Sequence, residues 1–243
     1  MQDRDAHGKP IDQLVDDFQT HLDRGLAPDE AARRLAAHGA NELTERERPG
    51  FLALLWDQFN NYLVIILVVA AAISFLLGEW VDSVAILVIV ALNAVVGVVQ
   101  ESKAEQALAA LKKMSAPNAQ VIRDGRQASV PSRELVGGDI VLIEAGNFIP
   151  ADVRLVETFN LKVEEASLTG ESVPVEKNAA VVLDKDIPLG DRRNTAFMGT
   201  LVTYGRGKGL VTGTGMNTQI GLIATMLQSF EDEAEAIAKA NDT

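Results

Sequence analysis

The stretch EEASLTGESVPV, residues 164–175, is the one place in this sequence where residue types and spacing converge on a reaction. Gly170 is expected to turn the chain sharply, because glycine reaches backbone angles that are closed to other residues. Pro174 ends any helix just after this turn and has no N–H to donate. We therefore predict a rigid loop that projects Glu171 from a β scaffold, where its carboxylate can orient a water molecule and accept a proton from it. Taken alone, the four residues TGES also describe an ordinary surface turn that carries a carboxylate.

Several other motifs stand before and after this loop in a fixed order. They are GDIV at 138–141, IPADVRL at 149–155, Asn194, FMGT at 197–200, and then Val202, Tyr204 and Gly205. In this order and spacing, the set resembles the actuator domain of P-type cation-transporting ATPases, most closely that of the type II, calcium-type pumps. The resemblance extends from about Gly25 to about Gln228. One departure is Glu164-Glu165, where the family pattern often has Asp-Glu or Asp-Gln.

The resemblance implies a role for each residue of the TGES motif. Glu171 would place and activate the water molecule that hydrolyses an aspartyl phosphate, Thr169 and Gly170 would shape the loop, and Ser172 would help to hold it. A positioned proton acceptor is what attack of water on an acyl phosphate requires, so the residue chemistry agrees with this role.

The resemblance also implies what a complete pump would use. Such a pump forms its phosphoaspartate in an Asp-Lys-Thr-Gly-Thr motif with Mg²⁺ and ATP, and this motif does not occur in the sequence. The nucleotide-binding domain and the later spans have no counterpart here either. We therefore expect the chain alone to bind no cofactor and to be inactive, and we expect it to match the N-terminal third or so of a pump.

Apolar residues concentrate in two runs, Leu63 to Leu77 and Trp80 to Val99. A helix that spans a membrane needs roughly 20 mostly apolar residues. The second run meets this length, and the first does so only if Phe59 to Tyr62 join it. The alternative is a pair of buried helices in a soluble protein. We predict a transmembrane hairpin instead, because two adjacent runs this apolar are rare in a soluble core.

Charges around the two runs predict an orientation in the cell membrane. The connection from Gly78 to Asp82 contains acids and no basic residue, whereas basic residues flank the outer ends of both runs. These are Arg46, Arg48, Lys103, Lys112 and Lys113. By the positive-inside tendency, the protein is multi-pass with both termini cytosolic. The start of the chain, Met1 to Asp17, lacks the apolar run of a signal peptide.

Composition excludes some classes of partner and site. The formal net charge of −12 argues against a nucleic-acid partner, which would favour a basic face. The absence of cysteine excludes disulfides and thiolate metal sites. His7, His21 and His38 are too scattered to form a ligand cluster, and we expect each to be a solvated helix or loop residue.

Polar residues in or near the two runs are candidate contacts for a transported cation. They are Asp57, Asn60, Asn61, Asp82 and Asn93. Intramembrane polar residues are functional candidates, but Asn93 could equally bond to a neighbouring helix, and Asp82 is expected in the outer loop. In the family that the chain resembles, most cation ligands come from later spans, so we assign no metal ligand.

These patterns predict a membrane α+β protein: a transmembrane hairpin with a stalk, a distorted β-roll actuator domain, and an N-terminal helical segment. The predicted parts are an N-terminal helical segment at 1–50, hairpin and stalk at 51–118, actuator domain at 119–228, and an acidic tail at 229–243. In the N-terminal segment, the first predicted helix has an apolar stripe of Ile11, Leu14, Val15 and Phe18. The second predicted helix starts after Leu26 and ends at Gly39. The second membrane helix is expected to continue to Lys113 as the stalk.

Within the β domain, the sequence predicts short strands and tight turns. Asp124-Gly125 indicates a hairpin. Residues 151–158 and 161–164 read as two separate strands, and 196–203 and 209–214 as a hairpin across the glycine-rich segment 204–208. That segment lacks the spacing of a phosphate-binding loop. Asn217 or Thr218 is expected to cap a final helix, and the tail is expected to fray or be disordered.

Two classes of function remain open from the sequence. The first is an N-terminal fragment or subunit of an ATP-driven cation pump, whose partners are the remaining pump domains, the lipid bilayer and the transported cation. Only the overall resemblance favours Ca²⁺. The alternative is a non-catalytic, membrane-anchored regulatory or binding protein, or an inactive truncated remnant of such a pump.

Overall fold

A computed structural model describes residues 3, 5–44, 62–114 and 117–241. The chain divides into two compact units, one formed by 1–44 together with 116–243, and the other by 45–115. The N-terminal helices therefore share a unit with the β domain. The predicted division into four parts stays a prediction.

The N-terminal helices follow their local signals. Helix α1 covers Ile11–Asp17 and α2 covers Pro28–His38. Proline stands in the first turn of α2 with two acids behind it, where the free N–H groups and the positive helix end favour them. Gly39 ends α2 with a positive φ of 82°, and both predicted helices are confirmed.

Seven strands form one antiparallel sheet in the order β2-β1-β3-β7-β4-β5, with β6 paired to β4. The strands are β1 Asn118–Arg123, β2 Arg126–Pro131, β3 Ile140–Glu144, β4 Asp152–Glu164, β5 Val175–Glu176, β6 Thr195–Ala196 and β7 Leu201–Gly213. The β1–β2 hairpin turns at Asp124-Gly125, as predicted. The β domain is confirmed. We expected its distorted roll to contain two sheets, whereas the described strands join in one.

Two strand predictions were wrong, because long-range pairing overrides the local glycine signal. The segment predicted as a hairpin turn, 204–208, lies inside the single strand β7. Gly207 pairs with Ile143 of β3 on one side and with Thr158 of β4 on the other. The two strands predicted at 151–158 and 161–164 are likewise one strand, β4, which bends at register shifts along its pairing with β7.

The core lies on the face of the sheet that combines alternate residues of β1, β3, β4 and β7. Its fully buried members are Val121, Leu135, Val141, Ala151, Val153, Leu155, Leu161, Val163, Ala196, Val202 and Val211. A second cluster packs Leu14 and Phe18 of the N-terminal segment against Ile140 and Leu210 of the sheet. The N-terminal segment thus packs against the sheet in a cluster separate from the main core.

His7 corrects the expectation that all three histidines are solvated. Its side chain is buried within the 3₁₀ turn Ala6–Gly8, because this turn packs beside the second apolar cluster. Its Nε2 lies 3.0 Å from the carbonyl oxygen of Lys185. His21 and His38 are exposed, as expected.

The second unit contains helix α3, Tyr62–Leu76, and helix α4, Trp80–Met114. Trp80–Gln100 is the one segment within the described residues that is long and apolar enough to cross a membrane; the apolar part of α3, Val64–Leu76, is shorter. Phe59 to Asn61, which would lengthen the first run, lie outside the described residues. The two helices pack together, with the rings of Phe75 and Trp80 4.8 Å apart. Helix α4 continues beyond this segment to Met114.

Two further helices complete the first unit. Helix α5 is a single turn, Ala166–Thr169, and α6 covers Gln219–Asn241. Thr218 caps α6 as predicted, since its hydroxyl accepts the N–H of Gly221 at 3.1 Å. The acidic tail, expected to be frayed or disordered, is helical as far as Asn241.

Candidate functional site

The TGES loop leaves the sheet at the end of β4 and returns through β5 at the edge of the sheet. After β4, Glu165 begins the short helix α5, and Gly170 ends it in the left-handed region with φ +77°. Its N–H bonds to the carbonyl of Ala166 at 2.9 Å. The sharp turn at Gly170 is confirmed, whereas the helical turn before it was not predicted.

Glu171 follows this turn directly, and its side chain is exposed. Its backbone N–H donates to Thr169 Oγ1 at 3.3 Å, and that hydroxyl in turn donates to the carbonyl of Glu165 at 3.1 Å. Within the described part of the chain, the Glu171 carboxylate has no hydrogen bond or ion pair. The loop therefore fixes the backbone of Glu171 and leaves its carboxylate available to a water molecule or another domain.

The four predicted site residues lie together on this loop but differ in their contacts. Thr169 is half-buried and supplies the hydroxyl that bridges the loop, whereas Gly170 is exposed at the turn. Ser172 is exposed and makes no hydrogen bond to another described residue. The contact that holds the loop comes from Thr169, and the role of Ser172 stays a prediction.

A buried ion pair lies under the loop, and the sequence analysis missed it. Glu165 Oε1 is 2.5 Å from Lys177 Nζ, and both side chains are fully excluded from solvent. Burial raises the pKa of Glu165 and lowers that of Lys177, and the attraction between the two charges opposes both shifts. One signal could have revealed Glu165: it continues the alternation of Leu161 and Val163, so it faces the core.

Arg154 and Asn194, which stand in the predicted motifs, hold the segment between β5 and β6. Arg154 is buried, and burial lowers its pKa to about 10, so it remains charged at neutral pH. Its guanidinium donates to the carbonyls of Leu155, Ala179, Val181 and Asn194. The amide of Asn194 donates to His7 and Val181 carbonyls at 2.8 and 2.9 Å. These residues position the chain around the loop.

Asp152 anchors the start of α6 to the sheet. Its Oδ1 accepts the N–H of Met198 at 2.8 Å, and its Oδ2 accepts the N–H of Gln219 at 2.7 Å. Burial raises its pKa to about 6, and these two backbone bonds and the charge of Arg192 oppose the shift. The carboxylate thus lies at the positive end of helix α6, which favours its charged form, whereas its removal from water disfavours that form.

The raised pKa of Asp152 predicts a specific dependence of stability on pH. Between its unfolded value of 3.8 and its folded value of about 6, the native state binds more protons than the unfolded state. Stability from this group is therefore lost as pH rises through that window, by up to about 3 kcal/mol in total. The free energy of unfolding of the parent, relative to Asp152→Asn, should fall between pH 4 and pH 7 in denaturant titrations.

The matched control is Asp186→Asn, which changes an exposed aspartate in the same unit. Its difference from the parent should not follow that curve. A difference between the parent and Asp152→Asn that stays constant with pH would show that the carboxyl has an ordinary pKa.

The described residues contain no group of three or more His, Cys, Asp or Glu side chains arranged to hold a metal ion. Of the candidate cation contacts, Asp82 and Asn93 are exposed on α4. Asp57, Asn60 and Asn61 lie outside the described residues. The candidate site remains the TGES loop, with the Glu165–Lys177 pair beneath it.

Comparison with known proteins agrees with this geometry. Residues 113–228 match the family model "P-type ATPase actuator domain", and residues 6–74 match "Cation transporter/ATPase, N-terminus". The chain is 50% identical over 238 residues to a calcium-transporting ATPase 1 of Bacillus cereus, covering 96% of this chain and 27% of that protein.

Two further relatives show how wide the similarity is. A calcium-transporting ATPase of Bacillus subtilis is 48% identical over 216 residues, covering 89% of this chain and 24% of that protein. A sodium/potassium exporting P-type ATPase 2 of Saccharomyces cerevisiae is 41% identical over 224 residues, covering 91% and 20%. The chain spans between about a fifth and about a quarter of the length of these curated relatives. It belongs to the P-type cation-transporting ATPase family and corresponds to the N-terminal segment and actuator domain of its calcium-type members.

Proposed function

We propose that this chain supplies the actuator of an ATP-driven cation pump, in which the TGES loop directs the water that hydrolyses an aspartyl phosphate. The observation that carries the proposal is the turn at Gly170, which holds the Glu171 backbone and leaves its carboxylate exposed at the edge of the sheet. An exposed, unpaired carboxylate on a fixed backbone suits a group that must enter the site of another domain.

In the proposed step, the aspartyl phosphate is held by the remaining pump domains. The oxygen of a water molecule forms a bond to phosphorus, the bond between phosphorus and the aspartyl oxygen breaks, and the aspartate carboxylate leaves. Glu171 accepts the proton that the water loses, and inorganic phosphate is released. Thr169 and Gly170 set the position of Glu171, and Ser172 is assigned to holding the loop.

Mg²⁺ and ATP are required by the complete pump that we propose, but the described residues do not fit either of them. They contain no cluster of metal-binding side chains. The glycine-rich segment 204–208 lies inside β7, so it cannot wrap a phosphate group as a loop before a helix does. The step assigned to this chain therefore uses only Glu171 and the backbone that holds it.

We also propose that the second unit is a multi-pass hairpin in the cell membrane, with both termini cytosolic. Helix α4 supplies one segment of sufficient length and apolarity, and α3 packs on it as the other arm. Movement of the actuator would pull on these helices and open or close a cation path. We favour Ca²⁺ as the cation because the relatives from Bacillus are named for calcium, although the yeast relative is named for sodium and potassium.

Reporter fusions test the proposed topology. Fusions after Arg48 and after Lys113 should both report a cytosolic location, because basic residues flank both outer ends of the hairpin. A fusion after Glu79, in the acidic connection, should report the outside and is the matched control. An external signal from either of the first two fusions would overturn the topology.

The proposed function is tested by supplying the missing domains. Purified chain in detergent, given Mg²⁺ and labelled ATP, should show no turnover and no acid-stable phosphoprotein. Joined to the remaining domains of a relative, in trans or as a fusion, it should give a phosphoenzyme that forms and then hydrolyses. Labelled phosphoprotein from the chain alone would reveal a missed site, and a phosphoenzyme whose hydrolysis does not need the chain would favour the non-catalytic alternative.

A further inference from the structure

The two ends of the TGES loop are joined at their base by the Glu165–Lys177 pair. Glu165 is the first residue after β4, and Lys177 is the first residue after β5. The eleven residues between them contain α5 and the whole TGES motif. A bond of 2.5 Å between Oε1 and Nζ therefore closes the loop where it leaves the sheet.

The Glu165 end of the pair is linked to Glu171 by an unbroken series of hydrogen bonds. The carbonyl of Glu165 accepts the N–H groups of Leu168 and Thr169, both at 2.9 Å, and the hydroxyl of Thr169 at 3.1 Å. That hydroxyl accepts the N–H of Glu171. A change in the position of Glu165 is thus transmitted to the Glu171 backbone through one intervening side chain.

The Lys177 end ties the pair to the surrounding chain. Its backbone N–H donates to Leu161 at 2.9 Å, and its ammonium lies 5.5 Å from the centre of the Phe197 ring. The ammonium also donates to the carbonyl of Arg192 at 3.4 Å, directly after the 3₁₀ turn Leu189–Asp191 that packs on α5. Lys177 therefore holds both the loop base and the segment that supports α5.

The surroundings of the pair indicate that it does more than neutralise two buried charges. Neither carboxylate oxygen of Glu165 has a hydrogen-bond partner in the described part of the chain, so the ion contact between Oε1 and Lys177 is what offsets the burial of this charge. A buried ion pair is often no more stabilising than apolar residues of the same volume. In some proteins a buried ionic or polar pair is retained because it selects one arrangement of the two elements that it joins.

We propose that Glu165 and Lys177 are positioning residues that fix the direction of Glu171 by clamping the base of the TGES loop. This inference deepens the proposed function and rests on it for its catalytic consequence. The clamp itself is a property of this chain and can be measured without the rest of a pump.

Three variants separate positioning from simple burial: Glu165→Met, Lys177→Met, and the double variant. Each single change leaves one buried polar group without its partner and should lower the unfolding midpoint of the full chain in detergent. The double variant approximately keeps the volume of both side chains and carries no charge at these two positions. Its unfolding midpoint should therefore return toward the parental value.

Amide hydrogen exchange in the same samples measures how firmly the ion pair holds the TGES loop. In the double variant, the amides of Thr169 to Glu171 should exchange roughly three- to tenfold faster than in the parent, the range expected for loss of one net interaction. Strand amides of Val153 and Val211 should exchange at the parental rate. If loop and strand amides both exchange at the parental rate in the double variant, the pair only fills the core without positioning the loop, and the proposal is wrong. It is equally wrong if exchange rises uniformly through loop and sheet.

A second arm measures the consequence in a pump assembled with the remaining domains. The double variant should form phosphoenzyme at the parental rate and hydrolyse it more slowly, by roughly the same three- to tenfold. Parental hydrolysis together with a loosened loop would overturn the catalytic consequence. A failure of the proposed function is recognised separately, because Glu171→Gln would then hydrolyse phosphoenzyme at the parental rate whatever the exchange experiment shows.

Discussion

A pump assembled from the remaining domains and this chain carrying Glu171→Gln is expected to form phosphoenzyme normally and to lose it far more slowly than the parent. The amide keeps the size of the side chain but is a poor proton acceptor, so attack of water loses its base. General-base catalysis typically contributes about 100- to 10,000-fold, and dephosphorylation should slow by that factor. Glu171→Ala should behave similarly, because the Glu171 backbone is held by Thr169 and not by its own side chain.

The measurement is a chase of labelled phosphoenzyme with unlabelled ATP. Glu176→Gln is the matched control, since Glu176 is also an exposed glutamate on the return strand of the same loop. Its phosphoenzyme should decay at the parental rate. Parental decay in Glu171→Gln would reduce Glu171 to a turn residue, and failure of both Glu171 variants to form phosphoenzyme would assign the loop to folding or domain docking.

Gly205→Ala is expected to destabilise the actuator unit by about 2–5 kcal/mol. Gly205 has a φ of +78°, which costs an alanine about 1–2 kcal/mol. An added Cβ would also overlap the carbonyl oxygens of Asn160 and Phe159 in β4. Relief of such overpacking typically costs about 1–3 kcal/mol more, because β4 and β7 would have to move apart at this point.

Gly146→Ala is the matched control for this prediction. Gly146 has a similar φ of +89°, but an added Cβ there meets no atom within 4 Å. Its cost should be limited to the backbone, about 1–2 kcal/mol. Denaturant unfolding of both variants measures the difference, and equal losses would mean that the strands relax around Gly205 without cost.

Helices α1, α2 and α6 and the turn of the β1–β2 hairpin were predictable because their signals are local. Pro28 at the start and Gly39 at the end bound α2, and Thr218 caps α6 through its own hydroxyl. The Asp124-Gly125 turn closes its hairpin as its two residues dictate. Each of these features depends on backbone preferences and hydrogen bonds within a few residues, which a sequence displays directly.

The glycine-rich segment 204–208 shows why local signals fail inside a sheet. A cluster of glycines usually marks a turn, but here it lies in β7, which has a partner strand on each side. Gly205 is needed there because a larger residue would overlap the backbone of β4. The requirement comes from a neighbour some fifty residues away, so the segment itself cannot reveal it. The same pairing joins the two predicted strands of 151–164 into β4.

The sequence alone determined the family, the chemistry offered by Glu171 and the turn at Gly170, because these depend on residue types and their spacing along the chain. Only the tertiary structure decided what supports them. It packed the N-terminal segment against the sheet in a second hydrophobic cluster and buried His7 beside that cluster. It also brought Lys177 against Glu165 beneath the loop, where the exclusion of water makes each charge depend on the other.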